Sequence, residues 1–165
     1  MPRRAAALAL ALPLLMGCDV VDAFQDAPPT PISGDAWGEM LGAVNAVRAS
    51  GVTCGSEWQE PARPLAWHPA LAAAAERHSQ DMAENDRFSH QGTDGSRVGQ
   101  RASEAGYDWR RVAENIAARQ PTVDIVVQAW VASESHCRAL MDPRYTEMGA
   151  AEADRYWTQV FALPR

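Results

Sequence analysis

The chain has no lysine. All 15 of its basic residues are arginine, and they are scattered along the sequence. With alanine so frequent, this reads as a bias in coding, not as a designed surface. Outside the N-terminus there is no basic cluster, and the formal charge is -6. Phosphate backbones are recognised by clustered positive charge, so nucleic acid is excluded as a partner. Long apolar runs are missing too. The longest, Ala5 to Leu15, is about half of the roughly 20 residues that a membrane-spanning helix needs. No heptad run and no internal repeat occurs, so nothing in the sequence signals oligomerisation and a monomer is expected. Neither a His-Glu-x-x-His helix motif nor a Gly-x-Ser-x-Gly elbow is present.

What is there begins with the N-terminus. Arg3 and Arg4 precede the short apolar run, and Leu15-Met16-Gly17-Cys18 follows it, the order of an export signal. The last four residues resemble a bacterial lipobox, in which cleavage occurs before a cysteine that then carries lipid. Residues 1–17 are thus expected to be a lipoprotein signal and Cys18 the lipidated residue; an ordinary secretory signal with an incidental cysteine is the alternative. Asp19 resembles a signal for retention in the inner membrane, a rule that varies among bacteria. The predicted location is a membrane-anchored lipoprotein facing the periplasm or the cell exterior. Cleavage would remove two positive charges and leave the remainder more acidic, which disfavours non-specific binding to nucleic acid.

The chain has three cysteines, and acylation of Cys18 would leave Cys54 and Cys137. An exported pair is expected to be bridged, with two buried free thiols as the alternative.

Residues 18–34 are rich in Asp, Pro, Gln and Thr, a composition that buries no core and reads as a tether. Residues 35–165 are then one domain, as length and 47% apolar content allow. Asp35 is expected to cap a first helix over 36–50, with Trp37, Leu41, Val44 and Val47 on one face and Gly51 ending it. Residues 51–63 read as loop. Pro69 opens a second helix whose face holds Leu71, Ala75, His78 and Met82. His78 is expected to be a core histidine, not a ligand. Ser96 is expected to cap a short third helix that includes Val98, Arg101, Ala102 and Ala105. Residues 112–117 fit a strand, and Pro121-Thr122 opens a fourth helix. Its stripe of Val123, Val126, Val127 and Trp130 reaches Ser133 and His136 if the helix persists. Two strands, 147–151 and 155–162, close the chain. Helices followed by a terminal hairpin point to an α+β domain with an antiparallel sheet.

Four clusters recur along this stretch, the first two close together and the later ones at intervals of about 20 residues: Arg87-Phe88-Ser89-His90, Thr93-Asp94-Gly95-Ser96, Glu114-Asn115-Ile116-Ala117 and Trp130 to His136. They read as loop and element ends that converge. His90, Glu114 and His136 are residue types that bind a divalent metal or move protons, and imidazole with carboxylate is a common zinc ligand set. They are the candidate metal site, zinc being the first choice. Glu114 could instead stand behind a histidine and orient it. The alternative is that the three merely tie loops together. Cys137 beside His136 is a poor nucleophile pair, because neighbours on a helix point about 100° apart.

These clusters, with Leu65-Ala66-Trp67, Gly106-Tyr107 and Tyr156-Trp157-Thr158-Gln159-Val160, resemble in order and spacing the CAP superfamily: cysteine-rich secretory protein, antigen 5 and pathogenesis-related 1, in its bacterial branch. The match covers nearly all of residues 38–162. The resemblance implies an α-β-α sandwich with a central antiparallel sheet and a cleft that in many members carries two His and two Glu. His90 matches the first histidine and Glu114 the glutamate of the Glu-Asn segment. Ser133 stands where eukaryotic members have their second Glu, and Tyr156 where they have His; both are expected in the cleft. His136 is the bacterial pattern. The resemblance further implies a binding module with a small-molecule or lipid-like ligand. A metal-dependent hydrolase with Glu114 as general base is the second reading.

Overall fold

The computed structural model describes residues 34–165. The signal, Cys18 and the tether lie outside the described residues.

Helix α1 (Gly34–Ser50) starts two residues before the expected position. Its fully buried line is Met40, Val44 and Arg48, with Leu41 and Val47 half-buried beside it. An arginine in that line is not an error of patterning. Its guanidinium donates to the carbonyls of Leu140 at 2.6 Å, Arg63 at 2.8 Å and Asp142 at 3.2 Å. Leu140 and Asp142 lie at the C-terminal end of α5 (Glu134–Met141), where unpaired carbonyls and the helix dipole favour a cation.

Residues 51–63 contain a short hairpin, β1 (Val52–Cys54) with β2 (Glu57–Gln59). Gly55 turns it at a φ of 63°. The short β3 (Ala66–Trp67) then runs parallel to β5 (Glu147–Ala153). A two-residue strand carries no readable alternation, which is why the sequence shows only a lead into the next helix.

Helix α2 (Pro69–Glu84) has Pro69 in its first turn and is capped by His68, whose Nδ1 accepts from the Ala70 amide at 3.2 Å. Its alanine-rich face lies directly on the sheet. A Cβ placed on Gly149 would sit 2.1 Å from the Ala72 nitrogen, so only glycine permits this approach. Helix α3 (Val98–Glu104) is short, and its N-cap is Arg97, not Ser96. Ser96 is buried, and its hydroxyl and carbonyl accept instead from Arg101.

The four-stranded sheet has the order β3-β5-β6-β4. Strand β4 (Trp109–Ala118) is longer than the expected 112–117, and it pairs antiparallel with β6 (Tyr156–Pro164) along its length. Helices α2 and α3 cover one face, around Leu71, Ala75, Tyr107 and Val160. Helices α1, α4 (Val123–Ala132) and α5 cover the other, around Val44, Val126, Trp130, Leu140 and Phe161. The result is the α-β-α sandwich.

The expected single fourth helix is two helices. At Ser133 the backbone is extended, with φ -97° and ψ 118°, and the residue ends α4 and precedes α5. Ser133 and His136 therefore do not share a continuous helical face. The apolar stripe stays in phase across the break, from Trp130 to Cys137 and Leu140, so periodicity conceals it. The weak helix formers in Ser133-Glu134-Ser135-His136 allow it. Cys137 is disulfide-bonded to Cys54, with a Cα–Cα distance of 5.5 Å, which fastens α5 to the β1–β2 hairpin.

Candidate functional site

The centre is β4, an edge strand whose alternate residues face the two helical layers. Glu114 faces α2 and α3, and Asn115 faces α5. The Glu114 side chain is 3% exposed, so its charge must be matched. Arg101, also buried, donates from Nη2 to Glu114 Oε2 at 2.7 Å. On the other oxygen, His90 Nδ1 lies 2.8 Å from Oε1. His78 Nε2 is 3.8 Å from the same oxygen but makes its hydrogen bond to the Ser89 carbonyl at 2.8 Å. The carboxylate thus joins the second helix layer to the loop that carries His90.

That loop is held at several points. Arg101 Nη2 also donates to the His90 carbonyl at 3.3 Å. At its start, Tyr156 Oη donates to Asp86 Oδ1 at 2.6 Å. Thr93 donates through its amide to Asp81 Oδ2 at 2.9 Å, and Arg77 reaches Asp94 at 2.7 Å. The His90 ring, 51% exposed, is therefore aimed by its hydrogen bond to Glu114. With Nδ1–H donating to the carboxylate, neutral imidazole leaves Nε2 bare.

His136 arrives from the opposite layer. Asn115 donates from Nδ2 to the His136 carbonyl at 3.2 Å, tying the start of α5 to β4 next to Glu114. Burial first, and then charge on His90, push the His136 pKa below the usual histidine value. Burial likewise lowers that of His78, partly opposed by Glu114. Both imidazoles take up protons less readily folded than unfolded. As pH falls through about 6.5, the unfolded chain gains protons that the folded one resists, so stability present above that pH is lost below it. The urea midpoint should fall between pH 7 and pH 5, and less steeply in His136→Gln. An equal slope in the variant would remove His136 as a contributor.

Among the expected cleft residues, Ser133 does not bond His136; its hydroxyl lies 3.5 Å from that of Ser135. Tyr156 pairs with Ala118 and lies four residues along β6 from Val160, the partner of Glu114. At about 3.3 Å per residue, that is roughly 13 Å from the carboxylate's register. Its contribution is to pin Asp86, four residues before His90.

His78 is the buried core histidine expected, hydrogen-bonded to the Ser89 carbonyl. Sequence reasoning missed Arg101 as part of the site, for which the available signal was a charged residue on an otherwise apolar stripe of α3. Both oxygens of Glu114 are engaged, so its geometry is that of a residue that orients a histidine. Among the described residues, no group of three or more His, Cys, Asp or Glu is arranged to hold a metal. Of the three expected ligands, His90 and His136 are the ones whose rings are not bonded to an arginine, and imidazole is a residue type that can hold a divalent ion.

Comparison with known proteins supplies the family. The model of the cysteine-rich secretory protein family, CAP, matches residues 41–161. The chain is 28% identical over 141 residues to the uncharacterized membrane protein YlbC of Bacillus subtilis, covering 81% of this chain and 38% of that protein. It is 36% identical over 102 residues to the uncharacterized protein YkwD of the same organism, covering 60% and 39%. The chain thus spans less than half the length of these curated relatives. Among solved structures, an extracellular protein containing an SCP domain from Bacillus anthracis superposes with a TM-score of 0.71 at 27% identity, over 83% of this chain and 45% of that one. An outer surface protein of Borrelia burgdorferi, at 18% identity, shares the fold with a TM-score of 0.69, over 82% and 98%. With the family model matched from Leu41 to Phe161 around the sandwich and its His90–Glu114 pair, the chain belongs to the cysteine-rich secretory protein (CAP) family.

Proposed function

We propose that this chain is an exported binding module of the cell envelope, held at the membrane by lipid on Cys18, whose cleft presents His90 and His136 to a divalent metal, zinc first. The observation that carries the cleft reading is the chain Arg101–Glu114–His90, in which a buried ion pair fixes one ring by its Nδ1 and leaves Nε2 toward solvent. Such carboxylate support behind a histidine is typical of metal sites. A bound ion would supply a Lewis-acidic centre with open positions for a small or lipid-like ligand. The protein's part is to orient the His90 ring and to keep His136 in its ligating form, which the lowered pKa of His136 favours.

The sequence has four histidines, which makes the test simple. On zinc addition the ring signals of His90 and His136 should shift or broaden first in proton spectra, while that of His68 stays in place. Perturbation of His68 instead would sink this reading.

Export is supported by the leader and by relatives described as extracellular or as outer surface proteins. Among the described residues no helix is long and apolar enough to cross a membrane. The proposed attachment is by acyl chains on Cys18, at about 0.8 kcal/mol per buried CH2. Cys18→Ser should move the protein from the membrane to the soluble fraction. An intact mass showing an unmodified N-terminal Cys18 would overturn the anchor.

A further inference from the structure

Behind Glu114, on the side of α2 and α3, lies a cavity of about 70 Å³. His78, Ser96 and Arg101 form its inner wall and are buried. Arg77 and Asp94, about half exposed, form its outer rim with Asp81.

Two residues of the inner wall each carry a buried side-chain atom with no protein partner, His78 Nδ1 and Arg101 Nε. Their roles are fixed by their neighbours. His78 Nε2 faces the Ser89 carbonyl, which can only accept, so Nε2 carries the proton and Nδ1 of the neutral ring is an acceptor. Arg101 Nε–H can only donate. Its other N–H groups reach Ser96, the His90 carbonyl and Glu114. One unmet donor and one unmet acceptor thus belong to residues of the same wall.

An anion would satisfy Arg101 but would meet the lone pair of His78 and the carboxylates of Asp81 and Asp94. A cation would satisfy those groups but would meet two guanidinium groups. A species that both accepts and donates satisfies both, and the cavity, with about 70 Å³ of space for water centres, has room for ordered water, which needs only about 10–15 Å³ by that measure.

We propose that this cavity is a built water site, in which one or two ordered water molecules accept from Arg101 Nε–H and donate to His78 Nδ1. The water completes the hydrogen bonding of the arginine that holds Glu114, and so forms the rear support of the carboxylate on which His90 rests. The site does not depend on metal binding in the cleft.

Crystals of the wild-type domain, one set untreated and one soaked in bromide, test it. The expected result is one or two water peaks, at least one within hydrogen-bonding distance of both Arg101 Nε and His78 Nδ1, with no anomalous bromide signal there. An empty cavity, or a bromide peak against Arg101, would overturn the proposal. In solution the Arg101 Nε–H signal should show direct cross-relaxation with long-resident water. Its absence would overturn the proposal equally.

Discussion

Glu114→Ala is expected to lower stability by about 3–5 kcal/mol, because it leaves the Arg101 guanidinium buried without its counter-charge. For a domain of this size that corresponds to a fall of roughly 10–20 °C in melting temperature. The number is large because Arg101 cannot escape to water. Its remaining bonds to Ser96 and the His90 carbonyl hold it beside the cavity. Glu114→Gln should cost less, since an amide oxygen still accepts from Arg101. The double replacement Glu114→Leu with Arg101→Met should recover much of the loss, because an apolar pair removes both buried charges. The recovered variant should nevertheless bind zinc poorly, since His90 would lose its support. Denaturant titration of the three variants checks this. A Glu114→Ala protein within about 1 kcal/mol of wild type would mean the ion pair is not buried in solution.

Removing the Cys54–Cys137 bridge should have an effect of similar size. The bridge spans 83 residues of sequence, and the chain-entropy relation for such a loop gives about 4.5 kcal/mol. Both cysteines are fully buried in the larger core, so Cys54→Ala with Cys137→Ala also loses packing. The bridge holds the start of α5, and with it the His136 ring, against the hairpin. Reduction should therefore loosen the cleft as well as weaken the fold. Thiol titration of the unfolded, unreduced protein should find neither cysteine free. Two titratable thiols from these positions would rule the bridge out.

Much of the fold was legible because its signals are periodic. The stripe of α2, the terminal hairpin and the proline and threonine starts of α2 and α4 are local features that packing then confirms. What was hidden depends on long-range contact. The break at Ser133 leaves the apolar stripe in phase, so no pattern marks it. The rotation of α1 that buries Arg48 is set by four carbonyls more than 14 residues away, including that of Tyr145 at 3.5 Å. At the site, residue type alone picked His90, Glu114 and His136. The hydrogen bonds of Glu114 that assign it to orienting His90 come from Arg101 on α3 and from His90 on the loop before it, across sequence gaps that no spacing rule spans.

Under the proposed function, His90 and His136 together form a metal site in which Glu114 orients His90. Isothermal calorimetry of zinc binding to the mature protein tests it most directly, at pH 7.5 and again at pH 5.5. The wild type should bind with one-to-one stoichiometry at the higher pH and weakly at the lower, because protonated imidazole does not ligate. His90→Ala and His136→Ala should each abolish tight binding, and Glu114→Gln should weaken it by roughly 10–100-fold. Equal binding by wild type and both histidine variants, or binding by none, would contradict the claim.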